Sequence, residues 1–331
     1  MLKDSDFGHR PVLLQEVLDC LNIRPTGIYV DCTLGGAGHA SAILSRLQAG
    51  GRLIGLDQDE DALEAGGKQL AAVDTGASWS VHRANFSELA ATLASLGITA
   101  VDGILADLGV SSWQLDQAER GFSYGKDGPL DMRMDTRSPI TAATLVNTCS
   151  EEELTRILRD FGEERYAFRI SRAIVAARNR KPLETTGELA DLVRGAMPAA
   201  ARQEAQHPAK RTFQALRIAV NQELAVLETL LQKAPDLLAD GGRLCVITFH
   251  SLEDRLVKDH FKILEKPCQC PRDFPVCVCG LRSAGRIITR HPLTATPEET
   301  AGNPRSRSAK LRCFERRLEA GSGTTGGADH E

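Results

Sequence analysis

The chain of 331 residues is longer than one typical domain, which implies two domains or one domain carrying a large insertion. Its 42% hydrophobic and 25% charged residues are those of a globular protein and exclude a disordered or fibrous chain, while a formal net charge of −4 excludes a surface coated in positive charge. Residues 1–6 lack the apolar core of a signal peptide and no later run approaches the ~20 apolar residues of a membrane span, so a cytoplasmic protein with no membrane association is expected.

In chain order, 28–31 reads as a strand, 40–47 as a helix, 53–57 as a strand, 60–70 as a helix, 79–82 as a short strand, 86–96 as a helix and 101–107 as a strand. Strand and helix in alternation imply a parallel sheet with helices on both faces. After Asp107 the pattern changes. Residues 108–136 are rich in Gly, Ser and Asp, and 150–197 read as helices without intervening strands, opened by a capping box of Ser150 and Glu153 and continuing near 166–177 and 186–197. One long helix follows over 212–232, with Leu216, Ala219, Val220, Leu227 and Leu231 as its apolar stripe. Gly241-Gly242 then reads as a helix end, and 243–248 as a buried strand. The expected fold is therefore α/β: a Rossmann-like sheet built from 1–110 and 215–318, interrupted by an all-helical insertion over 111–214. The Gly/Thr/Ser-rich stretch 319–331 reads as a disordered tail.

The first strand runs into Asp31-Cys32-Thr33-Leu34-Gly35-Gly36-Ala37-Gly38-His39, a carboxylate and a glycine-rich turn that opens a helix. Glycine at such a turn lets the backbone approach a nucleotide, and the second strand ends in Asp57, where an acid gripping a ribose diol sits. A dinucleotide and S-adenosylmethionine both suit this arrangement, and Gly36 and Gly38 satisfy the first two glycines of the dinucleotide fingerprint, so an NAD-dependent oxidoreductase is the alternative. Asp31 tips the balance. A carboxylate at the strand end repels a pyrophosphate but attracts the ammonium and sulfonium of S-adenosylmethionine.

The fourth strand ends in Asp107-Leu108-Gly109-Val110-Ser111-Ser112. In methyltransferases that act on base amines, a polar residue here meets both the methionine end and the target nitrogen. Asp107 is accordingly the candidate proton acceptor for an amine whose lone pair is conjugated into its ring. The Asp-Leu-Gly-Val sequence lacks the Pro-Pro-Tyr/Phe continuation of DNA amino-methylating enzymes.

Taken together, several ordered blocks carry a family resemblance. They are His9-Arg10-Pro11-Val12-Leu13-Leu14, the Asp31 to His39 turn, Asp107 to Ser112 with Gln114-Leu115-Asp116, Glu119-Arg120-Gly121-Phe122-Ser123, Asp127 to Asp135, and Thr248-Phe249-His250-Ser251-Leu252-Glu253-Asp254-Arg255. In these the chain resembles the bacterial 16S rRNA (cytosine(1402)-N(4))-methyltransferase family. The resemblance implies a class I methyltransferase sheet with a helical substrate domain, S-adenosylmethionine as cofactor and 16S rRNA of the small ribosomal subunit as partner. It also places Ala37, Gly38 and His39 at the cofactor turn, Asp57 on the ribose, Phe86 beside the adenine, and Asp107 and Gln114 near the methionine end. Ala37 stands where some members have glycine. A noncatalytic ribosome-assembly factor is the remaining alternative.

Four further features carry expectations. Phe122, Tyr124, Met132 and Met134 read as a lid over a flipped base, or as a hydrophobic cluster. Ser251 with Asp254 reads as a helix cap and His250 as substrate-facing or structural. Two stretches read as RNA phosphate contacts: Arg165, Arg169, Arg172, Arg178, Arg180 and Lys181 in the insertion, and residues 282–317, where nine Lys/Arg stand against three acids for a net of +6. Cys268-x-Cys270 and Cys277-x-Cys279 suggest a structural zinc, but zinc pairs leave two to four residues between thiols, so the reading is a reduced or redox-labile loop with no metal assigned.

Overall fold

The computed structural model describes residues 11–203, 207–271 and 278–318. His9, Arg10, Cys277 and the expected tail at 319–331 lie outside the described residues. The sheet consists of β1 (Ile28–Asp31), β2 (Arg52–Asp57), β3 (Ser78–Arg83), β4 (Val101–Asp107), β5 (Leu238–Thr248), β6 (Gly285–Ile287), β7 (Leu293–Thr294) and β8 (Lys310–Arg316), in the order β3-β2-β1-β4-β5-β8-β6 with β7 beside β8. β1 to β5 pair in parallel, and β8 runs antiparallel to β5. The chain winds outward from β1 to β3 and then returns to the other side of β1 as β4. The crevice beyond the carboxyl ends of β1 and β4 is thus the topological switch point, where open α/β sheets bind ligands.

Both faces of the sheet are covered, as near-continuous apolar strands require. Along β4, Leu105 joins the core shared with α1 (Leu14–Leu21) and α2 (Gly38–Leu44). Ile104 and Ala106 join the opposite core with α4 (Leu89–Ser95), α11 (Glu223–Leu237) and α12 (Ser251–Glu265). Between β2 and β3 lies α3 (Glu60–Ala71).

A third core lies between β4 and β5. After the short α5 (Ser112–Asp116), the helices α6 (Ala142–Thr148), α7 (Glu151–Gly162), α8 (Ala167–Arg178), α9 (Thr186–Ala196) and α10 (Lys210–Asn221) bury residues from Phe122 to Val220 against one another. The expected capping box opens α7: Glu153 N donates to Ser150 Oγ at 3.1 Å and Ser150 N to a Glu153 carboxylate oxygen at 3.0 Å.

Two expectations are corrected. The single helix over 212–232 is two helices, α10 and α11, broken at Gln222, whose φ of 50° is left-handed. Asn221 explains the break: its side chain donates to the Met132 and Arg217 carbonyls and accepts from Met134 N, so the chain is held where the insertion meets the sheet. Arg217 pairs with Glu223 across the break at 2.8 Å. Gly241-Gly242 does not end a helix either. α11 stops at Leu237 and the pair lies inside β5, with Gly241 at φ 72°, where pairing to β4 shifts register.

Candidate active site

A cleft opens at the switch point, lined by residues from every strand end that faces it, among them Gly38, His39, Asp57, Phe86, Asp107, Gln114 and Glu253. Six of the seven expected cofactor-site residues thus share one cavity. The seventh, Ala37, does not line it: fully buried at φ 59°, it is the cap of α2, and its N–H donates to the Leu34 carbonyl at 2.7 Å. Ala37 therefore shapes the turn. At Gly38 a Cβ would stand 2.8 Å from Pro11 Cγ, so glycine is required by close approach.

The turn is held by carboxylates. Asp57 accepts from Gly35 N and Asp59 N, both at 2.9 Å, while Asp31 accepts from Thr33 N at 3.1 Å. Asp31 is buried and does not line the cleft, so its charge acts on the site through the field rather than by contact. Burial, opposed by the Thr33 N–H and reinforced by Asp57, pushes the Asp31 carboxyl up to about 7. Burial likewise pushes Asp57 up to about 6, against the N–H groups of Asp59 and Gly35.

Asp107 has the sharpest environment. Its backbone N donates to Thr33 Oγ1 at 2.7 Å, fixing the end of β4 to the turn. Its side chain keeps 26% of its exposure while Oδ1 is buried without a partner. Burial, then Asp31, then Glu253 raise its carboxyl well above the usual range. His39 Nδ1 stands 3.6 Å from Asp107 Oδ2, within ion-pair reach but too long for a hydrogen bond, and its Nε2 lies 2.9 Å from the Val12 carbonyl. A carbonyl accepts only, so Nε2 carries the proton and Nδ1 turns toward Asp107.

Three carboxyls whose proton affinity is raised in and behind one crevice suit a ligand bearing positive charge, which favours their ionised form on binding. The sign for stability follows from linkage. Asp31 keeps its proton to about pH 7 when folded but ionises near 3.8 unfolded, so the stability tied to that proton is fully present below the unfolded value and is lost as pH rises through about 7. The melting temperature of the ligand-free protein should fall over that window, and Asp31→Asn should flatten the fall. Calorimetry across a pH series checks this, and an unflattened slope in the variant would count against the assignment.

The sequence reading named Gln114 but missed Asp59 behind it and Glu253 in the cleft. Gln114 is buried, donating from Nε2 to Asp59 Oδ2 at 2.7 Å and accepting from Ser111 N at 3.0 Å, so it closes the cleft through Asp59. Asp59 also pairs with Arg120 at 2.7 Å, and Arg120 reaches the Arg133 and Met134 carbonyls. A carboxylate two residues after Asp57, capping α3, was the available signal for Asp59. The cap of α12 is His250, not Ser251. Glu253 N donates to His250 Nδ1 at 3.4 Å, and the Glu253 carboxylate accepts from Phe249 N at 2.8 Å and from His250 N. Burial opposes the Glu253 charge, but His250, Arg217 and the Phe249 N–H together hold its carboxyl below the ordinary range. Ser251 donates to Glu163 instead, and Asp254 holds Arg312 and Lys310.

The expected lid is not formed by its aromatic and Met132 components. Phe122 and Met132 are buried in the insertion core, and Tyr124 stacks on His207 at 4.4 Å, because these apolar side chains find a closed core nearby. Met134 alone of the group lines the cleft. The basic stretch 282–317 is largely committed internally: Arg286 and Arg317 join Arg243 around Glu315, Lys310 and Arg312 hold Asp254, Arg305 pairs with Asp116, and Arg316 donates to the Asp236 and Leu238 carbonyls. Among the described residues no helix is long and apolar enough to cross a membrane.

The chain is 55% identical over 315 residues to the ribosomal RNA small subunit methyltransferase H of Symbiobacterium thermophilum, covering 95% of this chain and 98% of that protein. It is 57% identical over 311 residues to the protein of the same name from Heliobacterium modesticaldum, covering 94% and 99%. With that from Clostridioides difficile it shares 50% identity over 311 residues, again covering 94% and 99%. The model of the MraW methylase family matches residues 6–317, and nothing in these likenesses supports a dinucleotide-dependent oxidoreductase. With the fold, the cleft and the match in agreement over nearly its whole length, the chain belongs to the MraW methylase family and is a methyltransferase.

Proposed function

We propose that the protein methylates the exocyclic N4 amine of a cytidine in 16S rRNA, position 1402 in the naming of the family it resembles, on the small ribosomal subunit in the cytoplasm. S-adenosylmethionine, when bound, supplies the methyl group on a positively charged sulfur. Asp57 would accept from the ribose hydroxyls and Phe86 would flank the adenine, while the turn at Gly38 and His39 and the Gln114 side of the cleft would hold the methionine end, all of them lining one cleft. The cytosine amine is a poor nucleophile and must shed a proton as its nitrogen leaves the ring plane. Asp107 accepts that hydrogen bond and then the proton, with His39 Nδ1 beside it.

The observation that carries this reading is the Asp107 carboxyl itself, half-buried at the switch point with Oδ1 unpartnered and its proton affinity raised. The helical insertion, 111–214 by the sequence reading, serves as the RNA-facing part. The test is transfer of labelled methyl groups from S-adenosylmethionine to small subunits lacking the modification, with the product nucleoside identified by mass. Label in any nucleoside other than N4-methylcytidine would overturn the proposed target.

The basic face of α8 supports an RNA role more strongly than 282–317. Arg178 donates to the Val146 carbonyl and Lys181 pairs with Glu188, but Arg172 lies 5.7 Å over the ring of Phe168, a phenylalanine left 58% exposed. Replacing Arg165, Arg169 and Arg172 by Ala together should lower RNA affinity and reduce the slope of log K against log salt by about 2, at ~0.7 per lost single-strand phosphate contact. Cofactor affinity should stay unchanged. A parental slope, measured by fluorescence anisotropy over a salt series, would reduce the face to solvated surface.

A further inference from the structure

Between α12 and β6 the chain makes a connection, 266–284, longer than the roughly 12–15 residues that structureless connections commonly reach. Its base is pinned: Ala284 N donates to the Leu264 carbonyl at 2.9 Å, and Ile287 N to Glu265 Oε1 at 2.8 Å. Beyond that base the limbs 266–271 and 278–284 have little apolar burial to hold them, and Val278 is 72% exposed. Even so, the Sγ atoms of Cys268, Cys270 and Cys279 all lie within 4.8 Å of one another. Val278 N also donates to Cys270 Sγ at 3.3 Å, a contact between the two limbs.

We propose that Cys268, Cys270 and Cys279 form a thiolate site for one zinc ion that ties the two limbs of this connection together. One-residue spacing weighs against a zinc pair in sequence, yet the fold brings the third thiol in from the other limb, so convergence does not depend on that spacing. Zn–S bonds of about 2.3 Å in a tetrahedron put sulfurs ~3.8 Å apart, so the observed thiols need to contract by about 1 Å at most, a shift an exposed loop absorbs. Thiolates select zinc over calcium or magnesium, which take oxygen ligands. The role is structural. α12 has 15 residues and spans about 22 Å, with His250 at the cleft end and this cluster beyond the other, too far to touch a reacting group.

The full chain, purified without chelator from zinc-supplemented medium, should carry about one zinc by elemental analysis. A Cys268→Ser/Cys279→Ser variant should lose that zinc, whereas Cys149→Ser, in the insertion, should keep it. Because the double variant could misfold, the parental protein is tested too. Stripped of metal and titrated with cobalt(II), it should develop a thiolate-to-cobalt charge-transfer band saturating at about one equivalent. Chelation should expose the connection to limited proteolysis, and zinc should restore its protection. Zinc retained by the double variant, or no thiolate band with cobalt, would overturn the proposal, as would a disulfide among these cysteines in the freshly purified protein.

Discussion

Asp107→Asn should lower the single-turnover rate of methyl transfer by roughly 100-fold or more, the scale of a positioned proton acceptor, while leaving the fold intact. The side chain keeps its shape, and the bond that fixes the strand end, from Asp107 N to Thr33 Oγ1, belongs to the backbone and survives. What is lost is an acceptor whose proton affinity burial, Asp31 and Glu253 have raised. The parental rate should accordingly climb with pH through the raised ionisation of Asp107, and the Asn variant should lose that limb of the profile. Saturating cofactor is required, since the same carboxylate faces the charge of the methionine end and a lost contact there would lower affinity as well. A near-parental rate under those conditions would leave Asp107 as a binding residue only. If subunit maturation also proceeded undiminished with a variant inactive in transfer, a noncatalytic assembly role would be favoured instead.

Arg120→Met should destabilise the protein by about 3 to 5 kcal/mol, the cost of removing one partner from a buried ion pair. Arg120 and Asp59 retain only 13% and 5% of their side-chain exposure, and the guanidinium also serves the Arg133 and Met134 carbonyls, which lose their donors. Asp59 would keep the Gln114 amide and Asp61 N but hold an uncompensated charge. A second change, Asp59→Asn, removes that charge and should recover part of the loss. Chemical denaturation of the single and double variants measures both effects, and equal stability of the two would refute the ion-pair explanation. Cofactor affinity should fall with Arg120→Met as well, because Asp59 and Gln114 border the cleft through this same network.

The parallel strands β1 to β5 were legible because they are short apolar runs, three of them ended by carboxylates, whereas the strand order and the antiparallel β6 to β8 were not read, being set by pairing between distant segments. The strand over 101–107 and the capping box at Ser150 match the structure residue for residue, each being written in local chemistry: a buried run stopped by Asp107, and a side chain answering the orphan N–H groups of a helix start. The break at Gln222 was not legible. Nothing in 212–232 is a helix breaker, and the kink arises from Asn221 bonding Met132 and Met134, residues almost ninety positions earlier in the chain.

The same division runs through the site. Sequence alone determined which residues the strand ends present, Asp57 and Asp107 among them, because strand ends and the glycine turn are local features with fixed spacing. Only the tertiary structure decided that Asp31 acts from beneath the cleft, that Ala37 shapes the turn without lining it, and that His39 faces Asp107 while bonded to Val12. Packing also decided that the basic stretch near the carboxyl end is drawn onto Glu315 and Asp254, and that three thiols from two limbs of one loop meet. Composition records which charges and thiols a segment carries. Whether they face solvent, ligand or one another depends on contacts between residues distant in sequence, and those exist only once the core has closed.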